Sequence, residues 1–107
     1  MKIKIESGHF WLDFDNGYTL SAFNGYGSFT ENRYVTFNDI LNKKSWESRT
    51  VEIGIFKDNK LITNEILNCD DIVKTVDLEE LIAIINFLLN YKGGNNDIRY
   101  YKSLYNI

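Results

Sequence analysis

A chain of 107 residues with 44% hydrophobic and 15% aromatic content suits one folded domain with one core, which excludes intrinsic disorder and a second independent domain. Twelve basic residues against fifteen acidic ones leave a net charge of −3, too little basic surface for a nucleic-acid protein and too balanced for a DNA mimic. A single His and a single Cys, with no zinc spacing, nucleophile elbow or phosphate-loop lysine, leave no apparent catalytic set, cofactor motif or internal disulfide.

In chain order, Ile3 and Ile5 alternate with Lys2, Lys4 and Glu6, predicting a short first strand with one buried face. Residues 9–15 and 18–24 flank Asn16-Gly17, the strongest short-range signal for a tight hairpin. A two-residue turn sets Phe14 against Thr19, Leu12 against Ser21 and Phe10 against Phe23, and neither face is then purely apolar. Either a bulge shifts the register, or another element half covers a face holding Trp11 and Tyr18. Gly25-Tyr26-Gly27-Ser28 then reads as a strand-exit turn. Its alternative use is as an anion nest, with Tyr26 stacking on a nucleobase and Gly27 and Ser28 facing a phosphate.

The hairpin residues Phe14-Asp15-Asn16-Gly17-Tyr18-Thr19-Leu20-Ser21, followed by Gly25-Tyr26-Gly27-Ser28-Phe29, resemble small, mostly uncharacterised proteins encoded by bacteriophages. In that group a second strand pair and a short helix introduced by Thr or Asp follow, an order that residues 51–67 and 76–91 repeat. The resemblance covers roughly residues 10–91; the insert at 30–49 and the tail after Gly93-Gly94 depart from it. It implies a phage-type protein of the anti-defence or anti-CRISPR kind, working in the host cytoplasm, and supplies no catalytic residue.

The insert, residues 31–49, lacks a sustained period apart from one possible helical turn at 37–42. An irregular connection of this length is uncommon in a compact domain unless it is functional, so it is the first candidate partner-binding loop. Trp46 is its anchor, with Tyr34, Lys43, Lys44 and Arg49 around it. The plainer reading packs Trp46 beneath its own loop. Val51, Ile53 and Ile55 then alternate with Glu52, Gly54 and Phe56, and Asp58-Asn59 turns the chain into a strand at 61–67. That hairpin pairs Ile55 with Ile62 and Val51 with Ile66, but opposes Glu52 and Glu65.

Residues 77–91 predict an amphipathic helix whose stripe is Leu78, Leu81, Ile82, Ile85, Leu88 and Leu89. Asp77 is the expected N-cap, Glu80 completes a capping box, and Val76 staples to Leu81. After the stop at Gly93-Gly94, the tail at 95–107 interleaves Arg99 and Tyr101 with further basic and aromatic residues. It has the pattern of a single-strand binder, but the net charge favours its burial in cis or on a partner.

The expected fold is α+β: one domain, an antiparallel sheet of four or five strands and one helix across a face. The second face, holding Trp11, Tyr18 and Phe56, is left for self-association as a homodimer. The longest apolar stretch, at 81–89, is far short of the ~20 residues of a membrane span, and the alternation of Lys2 and Lys4 with Ile3 and Ile5 is not the pattern expected of a secretory signal. The expected function is binding: a small inhibitor that occludes a host defence protein, without cofactor or metal. Two alternatives stand beside it, a sponge for a cyclic-nucleotide signal centred on Tyr26 and Ser28, and a small enzyme using His9, Asp13 and Asp15, which share a strand face.

Overall fold

A computed structural model describes residues 1–36, 38, 40, 45–67 and 70–92. Among the described residues, the chain runs through β1 (Lys2–Glu6), β2 (His9–Asp13), β3 (Tyr18–Phe23), β4 (Thr50–Lys57), β5 (Lys60–Leu61), α1 (Thr63–Leu67), β6 (Val73–Asp77) and α2 (Leu78–Leu89). The strands form one antiparallel sheet in the order β1-β2-β3-β4. The far edge of β4 is shared, β5 pairing with its Phe56–Lys57 end and β6 with its Thr50–Ile53 end. The architecture is the expected α+β one.

The β2–β3 hairpin closes with a bulge. Phe14 N–H donates to the Tyr18 carbonyl at 2.8 Å and Gly17 N–H to the Phe14 carbonyl at 3.1 Å, so the loop is three residues long, with Gly17 at φ +93°. Relative to a two-residue turn, every pair moves by one position: Leu12 faces Leu20 and Phe10 faces Ala22. The shift gathers Phe10, Leu12, Leu20 and Ala22 on one side, where β4 adds Ile53 and Ile55. Burial of that common face selects the register, because a one-residue slip would turn each of these side chains to the opposite side.

At the second hairpin, Asp58 and Asn59 both take positive φ, 54° and 63°, as a type I′ turn requires. The strand after it is much shorter than expected and ends at Leu61. Ile62 N–H still donates to the Ile55 carbonyl at 2.8 Å, as the expected pairing demands, but the Ile55 N–H donates to Thr63 Oγ1 at 2.8 Å. That hydroxyl stands in for the next strand carbonyl. The Ile62 carbonyl is thereby released to accept from Glu65 and Ile66 and start α1. The expected pairs Val51–Ile66 and Glu52–Glu65 do not form; Val51 pairs with Val76 of β6, a strand absent from the sequence reading, and the like-charge clash disappears.

Helix α2 begins as its sequence indicates. Asp77 Oδ1 accepts from Glu80 N–H at 2.8 Å, so Asp77 is the N-cap, with Glu80 at the third helical position. Val76 and Leu81 are both buried in the core. The buried stripe differs from expectation: Leu81, Ile84, Phe87 and Leu88 face the sheet, whereas Leu78, Ile82 and Leu89 are exposed. Aromatic packing sets this phase, since Phe87 stacks on Tyr91 and Tyr91 on Tyr18, each at a centroid separation of 5.2 Å. Tyr18 therefore lies on the helix side, not on the open face where it was expected. The first strand also departs from expectation, for all five residues of β1 are exposed and neither face is buried.

Candidate functional site

The sheet face opposite α2 carries three cross-strand rows fixed by the register: Lys2–Asp13–Thr19–Phe56, Lys4–Trp11–Ser21–Gly54 and Glu6–His9–Phe23–Glu52. Thr19 forms the floor between Trp11 on one side and Phe56 on the other, and the small residues Ser21 and Gly54 lie in the neighbouring row. Over this floor runs a groove of about 660 Å³, with Lys2 and Lys4 on one rim and the Asp58-Asn59 turn on the other. A Cβ at Gly54 would stand 3.1 Å from Leu61 Cδ1 and 3.5 Å from Phe56 Cε2, so a larger residue there would push on the Leu61 side chain.

Trp11 is held in place from both directions. The His9 ring stacks on it at 3.7 Å between centroids, and Lys4 Nζ lies 4.7 Å from the ring on the other strand's side. His9 Nε2 shares a 2.6 Å hydrogen bond with Ser21 Oγ, which fixes the position of the imidazole. Burial pushes the His9 pKa below its ordinary value; Glu6 opposes the shift and Lys4 adds to it. The unfolded chain therefore binds more protons between the two values, so stability contributed here is whole above about pH 6.5 and declines as pH falls through that value toward the folded pKa. Urea unfolding of the native protein and of His9→Gln, compared on either side of pH 6, is expected to show a smaller acid-side loss in the variant.

The acids proposed to work with His9 are not assembled with it. Asp13 accepts from Thr19 Oγ1 at 2.7 Å and pairs with Lys2 at 3.7 Å, whereas Asp15 sits in the hairpin loop and pairs with the amino group of Met1. Among the described residues, no cluster of three or more His, Cys, Asp or Glu could hold a metal ion. Ser21 is the partner that sequence reasoning missed. The observed register would have found it, since Ser21 stands beside Trp11 on the adjacent strand, but the residue is buried and its hydroxyl is shared with the His9 ring, unlike an exposed nucleophile.

The Gly25–Ser28 turn is self-contained. Ser28 is fully buried, donates its hydroxyl to the Gly25 carbonyl at 2.6 Å and lies 2.7 Å from Thr30 Oγ1. The N–H groups of Gly25 and Ser28 are spent on the carbonyls of Gly8 and Gly25. The Ser28 hydroxyl is thus engaged within the turn itself. Gly27 supplies the positive φ of the turn, and only Tyr26 points outward.

The insert is stitched to the sheet end. The Asn32 amide donates to the carbonyls of Asn24 and Glu47 at 2.7 and 3.0 Å, and the Asn24 amide donates to the Trp46 carbonyl and Ser48 Oγ at 3.2 and 3.1 Å. Trp46 is half-buried, with its indole N–H donating to Ser7 Oγ at 2.6 Å. Ile3, Ile5, Phe10 and Val51 join it around a hollow of about 330 Å³. Its ring therefore packs against the sheet end. Arg49 N–H binds Glu31 at 2.7 Å, and Tyr34 is exposed with its hydroxyl accepting from Arg33 Nε at 3.1 Å. Of the expected helical turn at 37–42, Asn38 and Ile40 are described, and Ile40 N–H donates to the Thr36 carbonyl at 3.0 Å. Lys43, Lys44, Arg99, Tyr101 and Cys69, together with the tail at 95–107, lie outside the described residues.

Comparison of the chain with protein-family models, curated proteins and solved structures gave no match. No helix among the described residues is long and apolar enough to cross a membrane.

Proposed function

We propose that this chain acts by binding a partner protein on the open face of its sheet, as a small phage-type inhibitor that occludes a host defence component of the CRISPR kind in the host cytoplasm. The observation that supports the binding mode is the pair Trp11 and Phe56 flanking Thr19 in a groove over which no described element is laid. Partly buried aromatics anchored by their neighbours are the side chains that dominate protein interfaces. The rim mixes Lys2 and Lys4 with Asp13 and Asp58, a pattern suited to a protein surface and poorly suited to a polyanion. The target class comes from the resemblance of the Asn-Gly-Tyr hairpin to phage-encoded proteins. A homodimer fits this reading if the two copies meet away from this face.

The test is inhibition of a purified CRISPR effector by the purified chain. Inhibition is expected to saturate at a fixed stoichiometry, and Trp11→Ala or Phe56→Ala is expected to raise the dissociation constant about thirtyfold, the ~2 kcal/mol of an interface hot spot. Trp46→Ala, on the other side of the sheet, is expected to change it little. An effector untouched by excess protein removes the target class. Full inhibition by a folded Trp11→Ala/Phe56→Ala double variant removes the face.

A further inference from the structure

We infer that the outer edge of β1 is a self-association edge, on which a second copy of this chain pairs β1 against β1 in antiparallel register centred on Lys4. Among the described residues β1 pairs with β2 alone and places nothing in the core; Ile3 and Ile5 are 57% and 72% exposed. The two-residue loop Ser7-Gly8 makes Glu6–His9 a hydrogen-bonded pair. Alternation along the ladder then turns the N–H and C=O groups of Lys2, Lys4 and Glu6 toward β2 and those of Ile3 and Ile5 outward. An open edge with free donors and acceptors beside exposed isoleucines is a template for another strand.

The sequence of β1 chooses both the strand and its register. Outward residues must pair with outward residues, so the two-fold axis passes through Ile3, Lys4 or Ile5. An axis at Ile3 opposes Lys2 to Lys4 of the other copy twice. An axis at Ile5 sets Lys4 opposite Glu6 twice, but it keeps a single isoleucine pair and carries Ile3 against Ser7 of the other copy's turn. An axis at Lys4 pairs Ile3 with Ile5 twice, forming the backbone bonds of both, and sets Lys2 opposite Glu6 at each end. This axis also opposes Lys4 to Lys4, and each is drawn back within its own chain, 3.3 Å from Glu6 and over Trp11, so the Glu6 carboxylate is shared between its own Lys4 and the other copy's Lys2. A parallel in-register stack would instead oppose each charge to itself, so the strand favours a closed pair over a fibre.

This pairing does not depend on what the open face binds. It would join two sheets edge to edge and set the two grooves, each rimmed by Lys2 and Lys4, on either side of the two-fold axis. A single strand pair buries less than about 1,200 Å², so the dimer belongs to the weak, reversible class.

Sedimentation equilibrium of the intact chain over a wide concentration range tests it. A monomer–dimer equilibrium is expected. Lys2→Glu, which turns two attractive pairs into repulsive ones, should weaken it about tenfold, and Lys2→Glu/Glu6→Lys should restore it. Both positions are exposed, so thermal melts are expected to show each variant folded. A chain monomeric at its highest soluble concentration overturns the inference. So does a dimer indifferent to Lys2→Glu, or one that the double exchange fails to restore.

Discussion

Gly8→Ala is expected to cost about 2–5 kcal/mol of folding stability, combining about 1–2 kcal/mol for a left-handed backbone with about 1–3 kcal/mol for overpacking. Gly8 has φ +73°, and a Cβ there would stand 2.7 Å from Gly25 Cα, 3.0 Å from Gly25 N and 3.3 Å from Trp46 Cδ1. The first two neighbours are backbone and cannot rotate away. Nor can the two segments part freely, since the Gly8 carbonyl accepts from both Asn24 and Gly25 at 2.8 and 3.1 Å. Gly17→Ala is the control: φ there is +93° but a Cβ meets nothing within 4 Å, so only the backbone cost of about 1–2 kcal/mol applies. Urea midpoints of the two variants measure the difference. Equal losses would show that the close approach of Gly8 to Gly25 contributes nothing.

A second large effect is expected on α2, where Ile84→Ala should cost about 2–5 kcal/mol and Ile82→Ala within about 0.5 kcal/mol. Ile84 has no exposed surface and lies against the sheet core, whereas Ile82 is 52% exposed two positions earlier. Against a total of about 5–15 kcal/mol for a typical domain, the first loss is a large fraction of the whole. Denaturant unfolding followed by circular dichroism separates the two. The opposite ranking would mean that the helix presents its Leu78–Ile82–Leu89 side to the sheet.

That helix also shows where sequence reasoning ends. Asp77 and Glu80 mark its start through local hydrogen bonds, so the start was legible. Its phase was not, because Leu78, Ile82 and Leu89 are as apolar as the residues that face the core, and the choice rests on Tyr18 and Tyr91 meeting from opposite ends of the chain. The β2–β3 hairpin was legible from Asn16-Gly17, but a two-residue loop and a three-residue loop with a bulge use the same dipeptide. Only the shared burial of Leu12, Leu20 and Ile55 separates them. Nothing local announces that Thr63 will use its hydroxyl as a strand carbonyl and end β5 early.

The candidate site was legible in the same partial way. Trp11 and Phe56 were expected to share one sheet face, and both lie on the face opposite α2; Ser21 and Gly54 could join them only once the register was known. The insert was read as an irregular candidate partner-binding loop because periodicity registers apolar spacing and is blind to amide bonds such as those of Asn32 and Asn24. These polar ties hold both of its ends against the sheet.

Asn16 links the hairpin tip to the far end of the chain: its amide donates to the carbonyls of Leu88 and Tyr91 at 2.8 and 3.2 Å, at the negative end of α2, while its side-chain oxygen accepts from Tyr18 N–H at 3.3 Å. Asn followed by Gly is also the dipeptide most prone to deamidation, in which the glycine nitrogen attacks the asparagine side chain, ammonia departs and hydrolysis leaves an acid. In the folded chain both reactants are restrained, Gly17 N–H by Phe14 and the Asn16 amide by the helix end. Were the reaction to occur, a donor of two hydrogen bonds would become a carboxylate facing two carbonyl oxygens. The chemical lifetime of this chain is thus tied to the docking of its helix, and ageing at Asn16 would strike the fold at the joint between its sheet and that helix.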